Sequence, residues 1–398
     1  MIPVLEAQDA IQKHTAPLLP EAVPLGAVRG RVLQEPVASA EDLPAFDRSA
    51  MDGYAVRADD PADEFEVVAE IKAGDAIDRQ LLPGQAIRIF TGARLPGSGL
   101  KVVMQEHVQA RENRIRVLKR FPATNVRYRG EDARAGEILL QPGTTLDATA
   151  MALLASVGKT SVLVSKQPRV LHLTTGDEIV SPELTPALGQ IRNSNATLIS
   201  GLCRENGVNE VQHFHAADYL PALLEIISRA RPETYDMILI SGGSGQGTYD
   251  FSAELFRLLK ATIHFREVNV RPGKPLIFGS ASNQVIFGLP GNALSHFVCF
   301  HLFIRRALDR LLGQTPPIPV RSFLAETMPD TLNSRETWWP AQAGLKEGRV
   351  ECRALPWKSS GDITRLPAAN ALIQVPASTP QLPAGTMVDL LLTRSLSS

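Results

Sequence analysis

Four short stretches in the second half of the chain combine glycine with residues suited to binding anions. They are Thr175-Gly176-Asp177-Glu178, the run Gly242-Gly243-Ser244-Gly245-Gln246-Gly247 with Asp250 beyond it, Arg271-Pro272-Gly273-Lys274-Pro275, and Gly288-Leu289-Pro290-Gly291-Asn292. Glycines let backbone N–H groups approach an anion closely, and helix starts add a dipole attraction of roughly 0.3–1 kcal/mol at exposed sites. Arg271 and Lys274 contribute full positive charges. Together the four stretches read as a phosphate or oxyanion site; taken singly, each is an ordinary turn and Lys274 a solvated side chain. The first half of the chain adds Asp52-Gly53 within residues 43–56, Thr91-Gly92-Ala93 and Gly130-Glu131-Asp132. Spacing alone makes the first of these an Asp-Gly turn between strands, and similar plain readings hold for the other two.

The elements that must position these residues follow from the apolar patterning. Residues 4–19 read as a short amphipathic helix with Glu6 and Asp9 in its first turns. Short β-branched runs at 66–71, 86–90, 101–104 and 114–117, separated by Gly/Pro turns, predict a β-rich region. A helix at 149–157 follows, capped by Asp147 or Thr149 and stopped by Gly158. From 169 to 313 strands (170–174, 237–241, 263–270, 285–288) alternate with helices. The helices are 196–206, capped by Ser194 or Asn195, then 251–259, then a long one from Asn292 to 312. Alternation of this kind predicts a doubly wound parallel sheet covered on both faces, with ligands outside the carboxyl ends of its strands. The tail after Pro319 returns to short strands and holds all three tryptophans. The fold class is therefore α/β plus β. It comprises a linking region (1–44 with 134–168), a β-rich insertion domain (45–133), an α/β domain (169–313) and a small C-terminal β domain (314–398).

The chain has 398 residues, enough for two to four domains at ~150 each. Its 41 basic and 42 acidic side chains leave a net charge of -1. Nucleic acid is therefore not an expected partner, because displacing its counterions needs a basic excess. The most apolar helix, 293–304, is too short for a span of ~20 residues, and the N-terminus lacks a signal-peptide pattern. No membrane association is expected. Three scattered cysteines, Cys203, Cys299 and Cys352, fit neither a disulfide framework nor a CxxC zinc site, and point to the cytoplasm. His213 and His215 read as a polar strand edge, His296 and His301 as core or cap residues, and Trp338-Trp339 as core packing.

The motifs FDRSAMDGYAV, IFTGARLPGS, VRYRGEDARAGEILL, LTTGDEIV, GQIRNSN, ISGGSGQGTYDF, VRPGKP and FGLPGNALS occur in that order along residues 46–295. The chain resembles, on these motifs, the molybdopterin molybdenumtransferase family, which includes MoeA-type proteins and the E domain of gephyrin. The resemblance implies an L-shaped, four-domain protomer in a homodimer, supplied by a molybdopterin adenylyltransferase upstream. It implies insertion of molybdate into adenylylated molybdopterin, with Mg2+ required and AMP and molybdenum cofactor released. It also implies a cleft in which the β domain of one subunit faces the α/β domain of the other. Matching motif by motif, the resemblance makes Asp52, Thr91, Asp132, Glu178, Asp250 and Lys274 catalytic, with Glu178, Asp250 and Asp52 at the metal. It assigns substrate binding to Thr175, Gly176, Asp177, Ser194, Asn195, Gly242, Gly243, Arg271, Pro290, Gly291, Asn292 and Ser295, with Arg335 and Ser360 from the last domain.

The charges in that set constrain one another. Two carboxylates ~4 Å apart repel by ~4 kcal/mol at an effective dielectric near 20. Convergence of Asp52, Asp132, Glu178 and Asp250 therefore requires a cation or a proton, and Mg2+ suits hard oxygen ligands. The chain also departs from the family pattern. The usual GGVSVGDYD reads GGSGQGTYD, placing Gly245 and Thr248 where a serine and an aspartate are expected. Ala293 replaces the proline of PGNPVS, Leu100 an acid, and Arg271 a lysine. The lost hydroxyl and carboxylate leave open a non-catalytic family member that binds molybdopterin or acts as a scaffold. A nucleotide pyrophosphatase of the competence-damage type shares the TGDE-like and GG-turn features, but gives no account of SAMDGYA or of the closing β domain.

Overall fold

In the computed structural model, which describes residues 1–242 and 251–396, the chain divides into two compact units. One comprises Met1–Gln34, Gly143–Leu146 and Val162–Ser398; the other comprises Glu35–Pro142 and Asp147–Ser161.

The larger unit is built on a six-stranded sheet. Its order is Val211–Ala216, Val170–Thr175, Met237–Ser241, Gln284–Leu289, Ile277–Ala281, Thr262–Phe265. Alternate side chains enter opposite cores, as the pleat requires. Met237 and Leu239 pack with the helices Val4–His14, Ser194–Glu205 and Ala293–Cys299, while Ile238 and Ile240 pack under Leu223 and Phe256. Both faces are covered, which explains the continuous apolar runs of the central strands. The first four strands are parallel, but Ile277–Ala281 runs against them and pairs antiparallel on both its sides, so the sheet is mixed rather than wholly parallel. The long helix expected from Asn292 is continuous to Leu311, with a π-helical turn at Phe300–Ile304.

The run 263–270 is not one strand. Thr262–Phe265 ends the α/β sheet, whereas Val270–Arg271 pairs in parallel with Glu336–Lys346 of a second sheet. That second sheet also contains Arg349–Ala354, Val320–Leu324, Met387–Leu392 and Ala371–Val375. Pairing of Glu336–Lys346 with Ala371–Val375 closes it into a small barrel. Trp339 packs inside it while its neighbour Trp338 packs outward into the core of the α/β sheet, and all three cysteines are buried thiols. The N-terminal helix stops at His14, short of Leu19. No described helix is long and apolar enough to cross a membrane.

The smaller unit carries a six-stranded sheet ordered Leu100–Met104, Gly53–Arg57, Gln85–Ile89, Glu64–Ile71, Arg114–Val117, Val108–Arg111. Gly53 therefore begins a strand rather than forming a turn. The reason is steric: a Cβ at Gly53 would lie 2.1 Å from the Val103 carbonyl oxygen of the neighbouring strand. The helix Ala148–Ser156 is capped by Asp147, whose carboxylate accepts from the Ala150 N–H.

Three histidines of the larger unit are wholly or almost wholly buried. Burial pushes His296 down to about 4 and His301 to about 3, and holds His172 well below its ordinary value. They are neutral in the folded protein at pH 5 but protonated in the unfolded chain, so acidification favours unfolding. Asp309, raised to about 6 by burial, opposes this between its folded value and the ordinary 3.8. Three histidines outweigh one aspartate. The unfolding free energy is thus expected to fall by on the order of 2 kcal/mol or more between pH 7.5 and pH 5, checked by urea titration. Gly53→Ala is expected to destabilise the smaller unit by about 1–3 kcal/mol, read as a lower urea midpoint.

Candidate functional site

The glycine-rich turns meet at one end of the α/β sheet. Thr175, the residue ahead of Gly242 and Leu289 are the last residues of three parallel strands. The Arg271–Pro275 loop does not follow a parallel strand of this sheet. It reaches the same end because it leads into Ile277–Ala281, an antiparallel strand whose Ile277 pairs with Gly288.

Two of these turns touch through their glycines. Gly242, at φ 103°, sits so close to Thr175 that a Cβ there would lie 2.5 Å from the Thr175 carbonyl oxygen. Gly176, at φ 144°, carries the Glu178 carboxylate, whose Oε2 would be 2.7 Å from a Cβ on that glycine. Thr175, Gly176, Glu178 and Gly242 are thus brought together. The third turn is held by side chains: Asn195 Nδ2 donates to the Gly291 carbonyl at 2.8 Å, and Asn292 Nδ2 to Ser360 Oγ at 2.7 Å. The Leu294 N–H donates to the Ser360 carbonyl, so Ser360 secures this turn on two sides. Ser295 is buried in the first turn of Ala293–Cys299, and Pro290 is buried beside Gly291.

Several buried polar atoms here lack partners among the described residues: Thr175 Oγ1, Asn195 Oδ1 and Asp218 Oδ1. An unpaired buried polar atom costs about 1–3 kcal/mol, so three at one sheet end mark a surface that a polar ligand would satisfy. Asp177 is turned to structure, its carboxylate accepting the Asp218 N–H at 3.0 Å.

The cations are partly engaged. Lys274 lies 3.4 Å from Glu267, both half-exposed, an arrangement that solvent screens and an anion can compete for. The Arg271 guanidinium stacks over Trp357 at 5.0 Å, and Arg335 donates to the Val270 carbonyl at 3.3 Å. Arg271 and Arg335 therefore flank one short strand, Val270–Arg271. Gly243 and Asp250 lie outside the described residues.

In the smaller unit, Asp52 and Thr91 form a pair. Asp52 Oδ1 accepts from the Thr91 N–H at 2.8 Å and from its hydroxyl at 2.7 Å. These two bonds, the backbone one first, with Arg88 nearby, hold the Asp52 carboxyl below its usual range and therefore ionised. The Thr91 hydroxyl proton is thus directed at Asp52 rather than at an oxyanion. Asp132 pairs with Arg127, whose strand Val126–Arg127 is joined to Arg48–Ser49. Ser49 bonds in turn to Gly92 and Ala93, so residues 48–52 link the loops bearing Asp132 and Thr91.

Sequence reasoning placed the cap of Ser194–Glu205 at Ser194 or Asn195, one or two residues late. Asn193 caps it, accepting from the Ala196 N–H, and its Nδ2 also donates to Thr174 Oγ1. Ser194 and Asn195 consequently occupy the first helical turn. An Asn directly before Ser is as good a cap by type, which was the available signal. Also unforeseen was a polar array behind the turns. The Thr174 hydroxyl contacts His213 Nε2 and His215 Nδ1, and Ser241 Oγ lies between His172 and His296. Periodicity hides such residues, because each sits at a position that an apolar side chain could fill. Among the described residues no group of three or more His, Cys, Asp or Glu could hold a metal ion.

Three regions of the chain match family models in order. Residues 2–158 match the MoeA N-terminal region (domain I and II), residues 172–310 the probable molybdopterin binding domain, and residues 330–393 the MoeA C-terminal region (domain IV). A molybdopterin molybdenumtransferase of Staphylococcus epidermidis is 31% identical over 413 residues, covering 100% of this chain and 96% of that protein. One from Nostoc sp. is 38% identical over 372 residues, covering 89% and 85% respectively. The crystal structure of the molybdopterin biosynthesis MoeA protein from Pyrococcus horikoshii superimposes with a TM-score of 0.82 at 28% identity, covering 98% of this chain and 100% of that one. On these matches the chain belongs to the MoeA family of molybdopterin molybdenumtransferases.

Proposed function

We propose that this protein inserts molybdate into adenylylated molybdopterin, releasing AMP and molybdenum cofactor. The observation that carries the reading is the Thr175 hydroxyl, buried and without a partner among the described residues, beside two glycines at positive φ, Gly176 and Gly242. Such a floor admits the close approach of a phosphorylated pterin, with the hydroxyl and the Asn195 carbonyl oxygen available to its polar edge. Membership of the family, with every motif in order, supports the same substrate.

Each residue has a separate task in this scheme. Gly242, Gly176 and Gly291 shape the floor, and Asn195, Asn292 and Ser360 hold its rim. Lys274, Arg271 and Arg335 offset the negative charge of the phosphates and of molybdate; Lys274 exchanges Glu267 for the incoming anion. Asp52, kept ionised by Thr91, and Glu178 are the carboxylates offered to Mg2+, with Asp250 as a third. Mg2+ binds through one or two carboxylates together with substrate phosphates, so it does not require a preformed three-residue cluster. When bound it neutralises the pyrophosphate and polarises it toward cleavage. Thr91 acts through Asp52, fixing its orientation and its charge. Asp52, Thr91 and Asp132 complete the site from the partner subunit of a homodimer. An upstream molybdopterin adenylyltransferase supplies the substrate, in the cytoplasm, where the three free thiols remain reduced.

The test is reconstitution with adenylylated molybdopterin, molybdate and Mg2+, measuring AMP and active cofactor. AMP release coupled to molybdenum insertion is the expected result. Tight binding of molybdopterin without turnover would instead identify a non-catalytic binder, the reading favoured by the changed GGSGQGTYD loop. Asp52→Asn keeps an oxygen to accept from Thr91 but removes the charge. That variant and Glu178→Gln are each expected to lower turnover by about 100-fold or more while remaining folded. Near-normal insertion by both would remove these carboxylates from the mechanism.

A further inference from the structure

We propose that His172, Ser241 and His296 form a latch that positions the Gly291-Asn292 turn against the Gly242 turn, making the two histidines positioning residues for substrate binding. The proposal rests on the reading of this sheet end as the molybdopterin site. It goes further by assigning a role to three buried residues that touch no substrate.

The hydrogen bonds fix their own direction. His296 Nδ1 lies 3.0 Å from the Asn292 carbonyl oxygen, which can only accept, so Nδ1 carries the proton. With the ring neutral, Nε2 must then accept, and the Ser241 hydroxyl donates to it at 2.7 Å. The hydroxyl proton being used, Ser241 Oγ accepts from His172 Nε2–H, also at 2.7 Å. Burial, which holds both rings well below their ordinary values, keeps them neutral and preserves this order. The chain cannot reverse, because the Asn292 carbonyl has no proton to return. It is therefore a latch and not a proton conduit.

Its placement matches that role. His172 sits in the strand that ends at Thr175, Ser241 is the residue before Gly242, and His296 lies in the first turn of the helix that starts after Asn292. Each link is thus a few residues from one of the converging turns. The Asn292 carbonyl also accepts the His296 backbone N–H at 3.1 Å, so two donors from one residue set that peptide plane. Asn195 and Ser360 hold the other sides of the same turn. Stability alone does not account for the arrangement. Among the described residues His172 Nδ1 is buried without a partner, a cost that an apolar side chain would avoid. Buried polar networks of this kind fix one geometry rather than add stability.

The test compares His172→Leu, which removes the donor, with His172→Gln, whose amide restores an N–H near the Nε2 position. His172→Leu is expected to raise the KM for adenylylated molybdopterin about tenfold while kcat stays within about twofold. Amide hydrogen exchange across residues 288–294 is expected to quicken about tenfold, and His172→Gln to restore both values. Should His172→Leu fail to fold, Ser241→Ala, which deletes only the hydroxyl, is expected to give the same KM and exchange changes. Unchanged KM and exchange in a folded His172→Leu protein, or failure of His172→Gln to rescue, would overturn the latch. If the wild-type protein shows no turnover, the proposed function falls, and the exchange contrast between Leu and Gln still decides the latch.

Discussion

A backbone can lie against Thr175 only where its neighbour lacks a Cβ, and Gly242 supplies that condition at φ 103°. The candidate site depends on this approach. It closes the space between two parallel strand ends and leaves the Thr175 hydroxyl buried without a partner among the described residues. Gly176 repeats the device one residue on, letting the Glu178 carboxylate fold back over the turn. The sheet supports both glycines from below, because strands buried on both faces cannot shift without disturbing two cores.

The charged groups among the candidate residues differ in how firmly they are engaged. Lys274 pairs with a half-exposed glutamate, an ion pair that water already weakens. Asp52 is treated differently. Two hydrogen bonds from Thr91 stabilise its ionised form, making it a fixed negative charge independent of pH near neutrality.

Behind the floor, histidines replace apolar residues at positions that packing alone would fill with valine or leucine. His172, Ser241 and His296 run from one strand through the next to a helix, and Asn193, Thr174, His213 and His215 run toward the sheet edge. Directional bonds distinguish near-identical packings of the same elements, whereas dispersion does not. The loops above inherit that definition.

Residue order alone determined the family, the class of fold and the strand ends ahead of Gly176, Gly242 and Pro290, because glycine, proline and apolar runs act locally and leave a local record; it misplaced only the strand ahead of the Arg271–Pro275 loop. SAMDGYA, TGDE and PGKP singled out Asp52, Glu178 and Lys274 only through resemblance to the family, since local spacing makes each an ordinary turn or surface residue. Tertiary structure decided the rest. It made Gly53 a strand residue through the distant Val103 carbonyl, and it sent Val270–Arg271 into the C-terminal barrel. It chose Asn193 over its neighbours as the helix cap by offering it Thr174 as a second partner. It also assembled the histidine latch from residues 172, 241 and 296. No local pattern reports such a contact, since residues far apart in the chain meet only when the sheet has formed, and hydrogen-bond direction is set by whichever partner the fold supplies.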